Sequence, residues 1–163
     1  MVRVLRGNHQ GLAIVVVGLA LSAVAGCSGG VIDRGGEPMV MSDSPELVAE
    51  ATDFGDWSLP AEGKVLLVRR EKPEDLRYNL VLETSPSGLA WMLEHSHYTA
   101  PFKKWMPVSP VETIAGPPLA TSPNLQKAQD FFTSPEGDAM IRDVLVDERS
   151  PELRIIHIEF RGQ

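Results

Sequence analysis

Leu76-Arg77-Tyr78-Asn79-Leu80-Val81-Leu82-Glu83-Thr84 is the segment whose reading decides the fold. Leu76, Tyr78, Leu80 and Leu82 alternate with Arg77, Asn79, Val81 and Glu83, the period of two that a strand shows when one face is buried. Upstream, Val65–Arg70 reads as a second apolar strand ending in charge, and Glu71-Lys72-Pro73-Glu74-Asp75 suits a hairpin connection between the two. Downstream, Ser85-Pro86-Ser87-Gly88 reads as a turn into a third strand over Leu89–His95. Three such strands in succession make an antiparallel meander.

Ser-Pro dipeptides punctuate the rest of the chain, at Ser44, Ser85, Ser109, Ser122, Ser134 and Ser150. A serine oxygen caps a helix while proline fills the first turn, where no backbone donor is needed. On that basis Ser44 opens a helix through Ala51, and Ser122-Pro123 opens another through Phe132, with Leu125, Ala128 and Phe132 on one side. Ser134-Pro135-Glu136 restarts a helix in which Met140, Ile141, Val144 and Leu145 have the spacing of a core-facing stripe. Leu153–Phe160 reads as a strand that completes the sheet. The expected domain is therefore α+β: a small antiparallel sheet, with a three-strand meander plus a C-terminal strand, packed with two or three helices over residues 44–163.

The chain has 163 residues, enough for one domain, and a single cysteine, which excludes an intramolecular disulfide. A formal charge of −7 argues against nucleic acid as a partner. Residues 1–26 differ from everything after them. Arg3 and Arg6 precede the apolar run Gly11–Leu21, and small residues lead up to Cys27. A basic, then apolar, then small-residue order is that of a secretory signal peptide. Its 16 residues from Gly11 to Gly26 fall short of the ~20 needed to span a bilayer.

Val24-Ala25-Gly26-Cys27 resembles the lipobox of bacterial lipoprotein precursors. The resemblance implies cleavage between Gly26 and Cys27, a diacylglyceryl group on the Cys27 thiol and an acyl chain on its new amino group. Together these chains would hold the protein at a membrane without a transmembrane helix. No other cofactor is expected. Ser28 follows the cysteine instead of an inner-membrane-retaining aspartate, so in a diderm bacterium the resemblance favours the outer membrane, facing the periplasm. Processing would leave 13 basic against 22 acidic residues, a formal −9, so the lipid and not a basic patch would do the anchoring. Residues 27–43, rich in glycine after the cysteine, read as a tether.

Between the expected meander and the later elements lies Tyr98–Thr121, with five prolines. A connection longer than ~12–15 residues without regular structure is commonly functional. Phe102, Lys103, Lys104 and Trp105 make it a candidate contact surface for an envelope partner, or a small-ligand site. If Leu89–His95 continues as a strand, His95 and His97 share a face and are the candidate metal pair, with a third ligand to come from elsewhere, His157 or an acidic residue. No Gly-x-Ser-x-Gly elbow or glycine-rich nucleotide fingerprint occurs, and lipid would block Cys27, so no catalytic residue is marked. The reading is a lipid-anchored, non-catalytic interaction or envelope-associated domain, with metal or small-ligand binding as its alternative.

Overall fold

A computed structural model describes residues 39–72, 75–134 and 137–162. The signal peptide, Gly26, Cys27 and most of the tether lie outside the described residues. The strands are β1 (Val40–Ser42), β2 (Lys64–Glu71), β3 (Arg77–Thr84), β4 (Lys103–Lys104), β5 (Leu125–Thr133), β6 (Ala139–Glu148) and β7 (Arg154–Gly162). Helix α1 (Pro45–Gly55) lies between β1 and β2, and helix α2 (Pro86–His95) follows β3. All seven strands form one antiparallel sheet in the order β1-β2-β3-β7-β6-β5-β4.

This sheet corrects the expected α+β domain of few strands. The two segments expected as helices, from Ser122 to Phe132 and around Met140–Leu145, are β5 and β6. Their apolar residues misled because β6 is covered on both sides. Met140, Arg142, Val144 and Val146 are buried on one face, and Asp143 and Asp147 on the other. A strand buried twice reads as a nearly continuous apolar run and shows no period of two.

The third meander strand is corrected in the opposite sense, since Leu89–His95 belongs to α2. Ser85 caps that helix by accepting the Gly88 N–H at 2.9 Å, and Pro86 fills its first turn. Gly88 and Met92 are then buried one turn apart. A side chain at position 88 would collide with Thr84 Oγ1 and Glu62 Oε1, so glycine is what lets the helix start against β3. Ser44 caps α1 in the same way, and its N-terminal strand β1 forms from the last residues of the stretch read as tether.

Both helices cover one face of the sheet. The core there joins Leu47, Ala51 and Met92 to the rungs Leu80–Ile158–Val144–Ala128 and Leu82–Ile156–Val146. Burying one such aliphatic side chain contributes about 1.5–3 kcal/mol. Glu50 fixes α1 to the sheet by accepting from Tyr78 Oη at 2.6 Å and Arg70 Nη1 at 2.8 Å. Arg142, 1% exposed, fixes the end of α2. It makes two hydrogen bonds to the Asp130 carboxylate, donates to Ser96 O at 3.0 Å and lies over the Phe132 ring at 4.3 Å. Among the described residues no helix is long and apolar enough to cross a membrane.

Candidate functional site

Among the described residues the opposite face of the sheet carries no α-helix. What crosses it is the proline-rich segment after β4. Lys103 and Lys104 pair with Lys127 and Gln126 of β5, and the Trp105 N–H donates to Leu125 O at 2.9 Å. The chain then leaves the sheet edge and returns at a short 3-10 turn, Leu119–Thr121, whose Leu119 is buried. Residues 105–121 are thus a strap held at both ends.

The returning end is held by a charged clasp. Asp147, fully buried on β6, accepts from Arg149 Nε at 2.6 Å and from Ser122 Oγ at 2.5 Å. Arg149 passes on to the strap, donating from Nη1 to Thr121 Oγ1 at 2.7 Å and from Nη2 to Pro118 O at 2.9 Å. A buried carboxylate is tolerated only when so fully paired. Gly116, at φ +85°, turns the strap close over β7. A Cβ there would stand 3.4 Å from Ile155 Cγ2 and 3.9 Å from His157 Cε1.

Beneath the strap is a cavity of about 350 Å³. Register builds its floor. Val81, His157, Leu145 and Lys127 form one cross-sheet rung, and Arg69, Asn79, Glu159 and Asp143 form the next. Trp105, Val111, Ile114 and Leu119 supply an apolar roof. A second hollow of about 600 Å³ lies beside it along β5 and is lined by Lys103, Lys104 and Gln129. Trp105, Lys127 and Asp143 line both.

The ions of the floor are paired with one another. Asp143 takes Arg161 Nη2 at 2.9 Å, Lys127 Nζ at 3.2 Å and Gln129 Nε2 at 3.1 Å. Glu159 lies 2.8 Å from Arg161 Nε, and Arg69 Nε lies 2.9 Å from Glu71. Two neutral groups are left over. Asn79 Nδ2 and His157 Nε2 are both buried and have no hydrogen-bond partner among the described residues. Burial brings the His157 imidazole down to about 4; Asp147 opposes that shift and Arg149 adds to it. At neutral pH the ring is uncharged. A buried polar atom without a partner costs about 1–3 kcal/mol, and a ligand that supplies the partner recovers it.

The residues singled out in sequence are only partly brought together. Lys103, Lys104 and Trp105 line the paired hollows, whereas Phe102 packs against the helix-side core, 6.1 Å from Tyr98. His95 ends α2 with its ring stacked 3.9 Å from Trp91 and its Nδ1 2.8 Å from Trp91 O. His97 lies beyond the helix at φ +52°. The shared strand face that paired the two histidines is therefore absent, and no group of three or more His, Cys, Asp or Glu stands together among the described residues. Asn79 and Asp143 are not legible as site residues in the sequence, and His157 only as a third metal ligand, because three separate strands bring the three together. The chain matches no family model, no curated protein and no solved structure.

Proposed function

We propose that this is a small exported lipoprotein, anchored through acyl chains on Cys27, whose folded domain binds a small organic molecule between strap and sheet. One observation carries the binding half: a cavity of about 350 Å³ under an apolar roof, whose floor includes Asn79 and His157, two residues that each carry a buried polar atom without a hydrogen-bond partner. Recognition sites combine apolar walls with a few convergent polar groups in this way. The lipobox at residues 24–27 supports the anchoring half, and in a diderm cell the domain would face the periplasm from the outer membrane.

Native mass spectrometry of the full-length protein tests the binding half. A co-purifying small molecule should be present in the wild type and lost from Asn79→Phe, whose ring would fill the cavity. An adduct that survives Asn79→Phe, or none in either protein, counts against the site. For the anchor, Cys27→Ala should abolish membrane retention; unchanged association sinks that half. A second reading, docking of an envelope protein, is favoured by the outward side of the strap, where Met106 and Val108 are exposed.

A further inference from the structure

The two hollows flanking Trp105 differ in charge. The inner one, under the strap, is balanced: Arg69, Lys127 and Arg161 face Glu112, Asp143 and Glu159. Its buried polar atoms with neither a hydrogen bond nor an ion pair are neutral, an amide nitrogen and an uncharged imidazole. An anion entering it would have to break an existing pair, because Arg69, Lys127 and Arg161 are already paired with Glu71, Asp143 and Glu159, and the remaining carboxylate, Glu112, is exposed to solvent. The inner hollow therefore suits an uncharged group with an apolar body.

The outer hollow carries three lysines, Lys103, Lys104 and Lys127, against Asp143. Lys103 and Lys127 are directly opposed across the β4–β5 ladder. Like charges so placed destabilise a sheet unless a counter-charge lies between them. Lys127 already shares Asp143, while Lys103 and Lys104 have no ionic partner among the described residues. Together the two hollows present five cations against three carboxylates, in a chain whose net charge is −7. The positive excess lies at one end, beyond Trp105.

Building on the binding site proposed above, we infer that its ligand is an amphipathic carboxylate. The uncharged body lies under the strap against Trp105, Ile114 and Leu119, over the floor residues Asn79 and His157. The carboxylate lies outside, between Lys103 and Lys127. A monoanion fits better than a phosphate dianion, because Asp143 and Glu159 stand beside the same path.

Three probes of one shape and different charge separate this inference from the cavity itself: 4-phenylbutyrate, 4-phenylbutyramide and 4-phenylbutylamine. Each is titrated calorimetrically into the full-length protein in nonionic detergent, with protein-free micelles as the blank. The acid should bind about tenfold more tightly than the amide, the worth of one charge-assisted contact, and the amine more weakly than either. The double variant Lys103→Gln/Lys104→Gln should remove the acid's advantage and leave amide affinity unchanged. An amide that binds as well as the acid overturns the charge assignment while leaving the cavity reading intact. Acid preference that survives the double variant overturns the assignment to these lysines. Binding of none of the three also overturns the inference, and the mass-spectrometric comparison then decides separately whether the cavity is a site.

Discussion

Arg149 holds Asp147 at 2.6 Å through Nε and, with Nη1 and Nη2 of the same guanidinium, holds the strap at Thr121 and Pro118. One planar group thereby joins a buried carboxylate of the sheet to the segment that roofs the cavity. Arginine suits this role because its five donors point in fixed directions, whereas a lysine could satisfy only one side at a time.

Arg149→Lys should therefore loosen the strap with little change to the sheet. Hydrogen exchange in residues 113–122 should accelerate about tenfold or more, while β3, β6 and β7 keep their protection. Uniform acceleration through the whole domain would mean that the clasp supports the fold in general and not the strap.

Asn79→Leu should separate stability from binding. The leucine has the same heavy-atom count and branching and removes a buried donor that has no partner, so stability should stay level or rise by about 1 kcal/mol. Ligand binding should weaken in the same variant. Thermal unfolding and a binding titration on one preparation check both. A large loss of stability would show that the Asn79 amide is committed within the protein.

His157 sets a pH dependence whose sign is fixed by burial. Its folded-state pKa of about 4 lies below the ordinary 6.5, so the unfolded chain binds more protons between those values. Its contribution is complete above about pH 6.5, is lost as pH falls towards 4, and changes no further below that. The loss is on the order of 3 kcal/mol. His157→Gln should flatten this part of the curve of urea midpoint against pH. Parallel curves for wild type and variant would show that the imidazole is accessible to water in the folded protein.

Arg142→Ala should be among the most damaging single changes. It leaves Asp130 without its two hydrogen bonds and Ser96 O without its donor at the end of α2. A loss of about 3–5 kcal/mol is expected for a buried pair broken on one side. Arg142→Met combined with Asp130→Leu should recover much of it, since neither charge is then stranded. Denaturant titrations compare the two; equal damage would assign the effect to lost packing against Phe132.

Legibility in the sequence followed burial. Leu76–Thr84 could be read as a strand because alternate residues lie under the helices and the others face the floor of the site. Ala139–Glu148 could not, because helices cover one face and the strap and its clasp the other, which erased the alternation. In Leu89–His95 the alternation of Leu89, Trp91 and Leu93 hid a helical repeat of Gly88 with Met92, although the Ser85-Pro86 cap was in plain view. The candidate site divides in the same manner. The strap announced itself by length and proline content, with Lys103, Lys104 and Trp105 adjacent in sequence. Asn79, Asp143 and His157 become neighbours only through the pairing of β3, β7 and β6, and no local pattern encodes that register.

Occupancy of the cavity is read most directly from the indole N–H resonances of Trp57, Trp91 and Trp105 during a 4-phenylbutyramide titration. Trp105 lines the cavity, whereas Trp57 is buried on the helix side and Trp91 stacks on His95. Binding beneath the strap predicts that the Trp105 resonance shifts saturably while the other two stay fixed, and that Asn79→Phe abolishes the shift. A Trp105 resonance that stays fixed while Trp91 or Trp57 moves would contradict a site between strap and sheet.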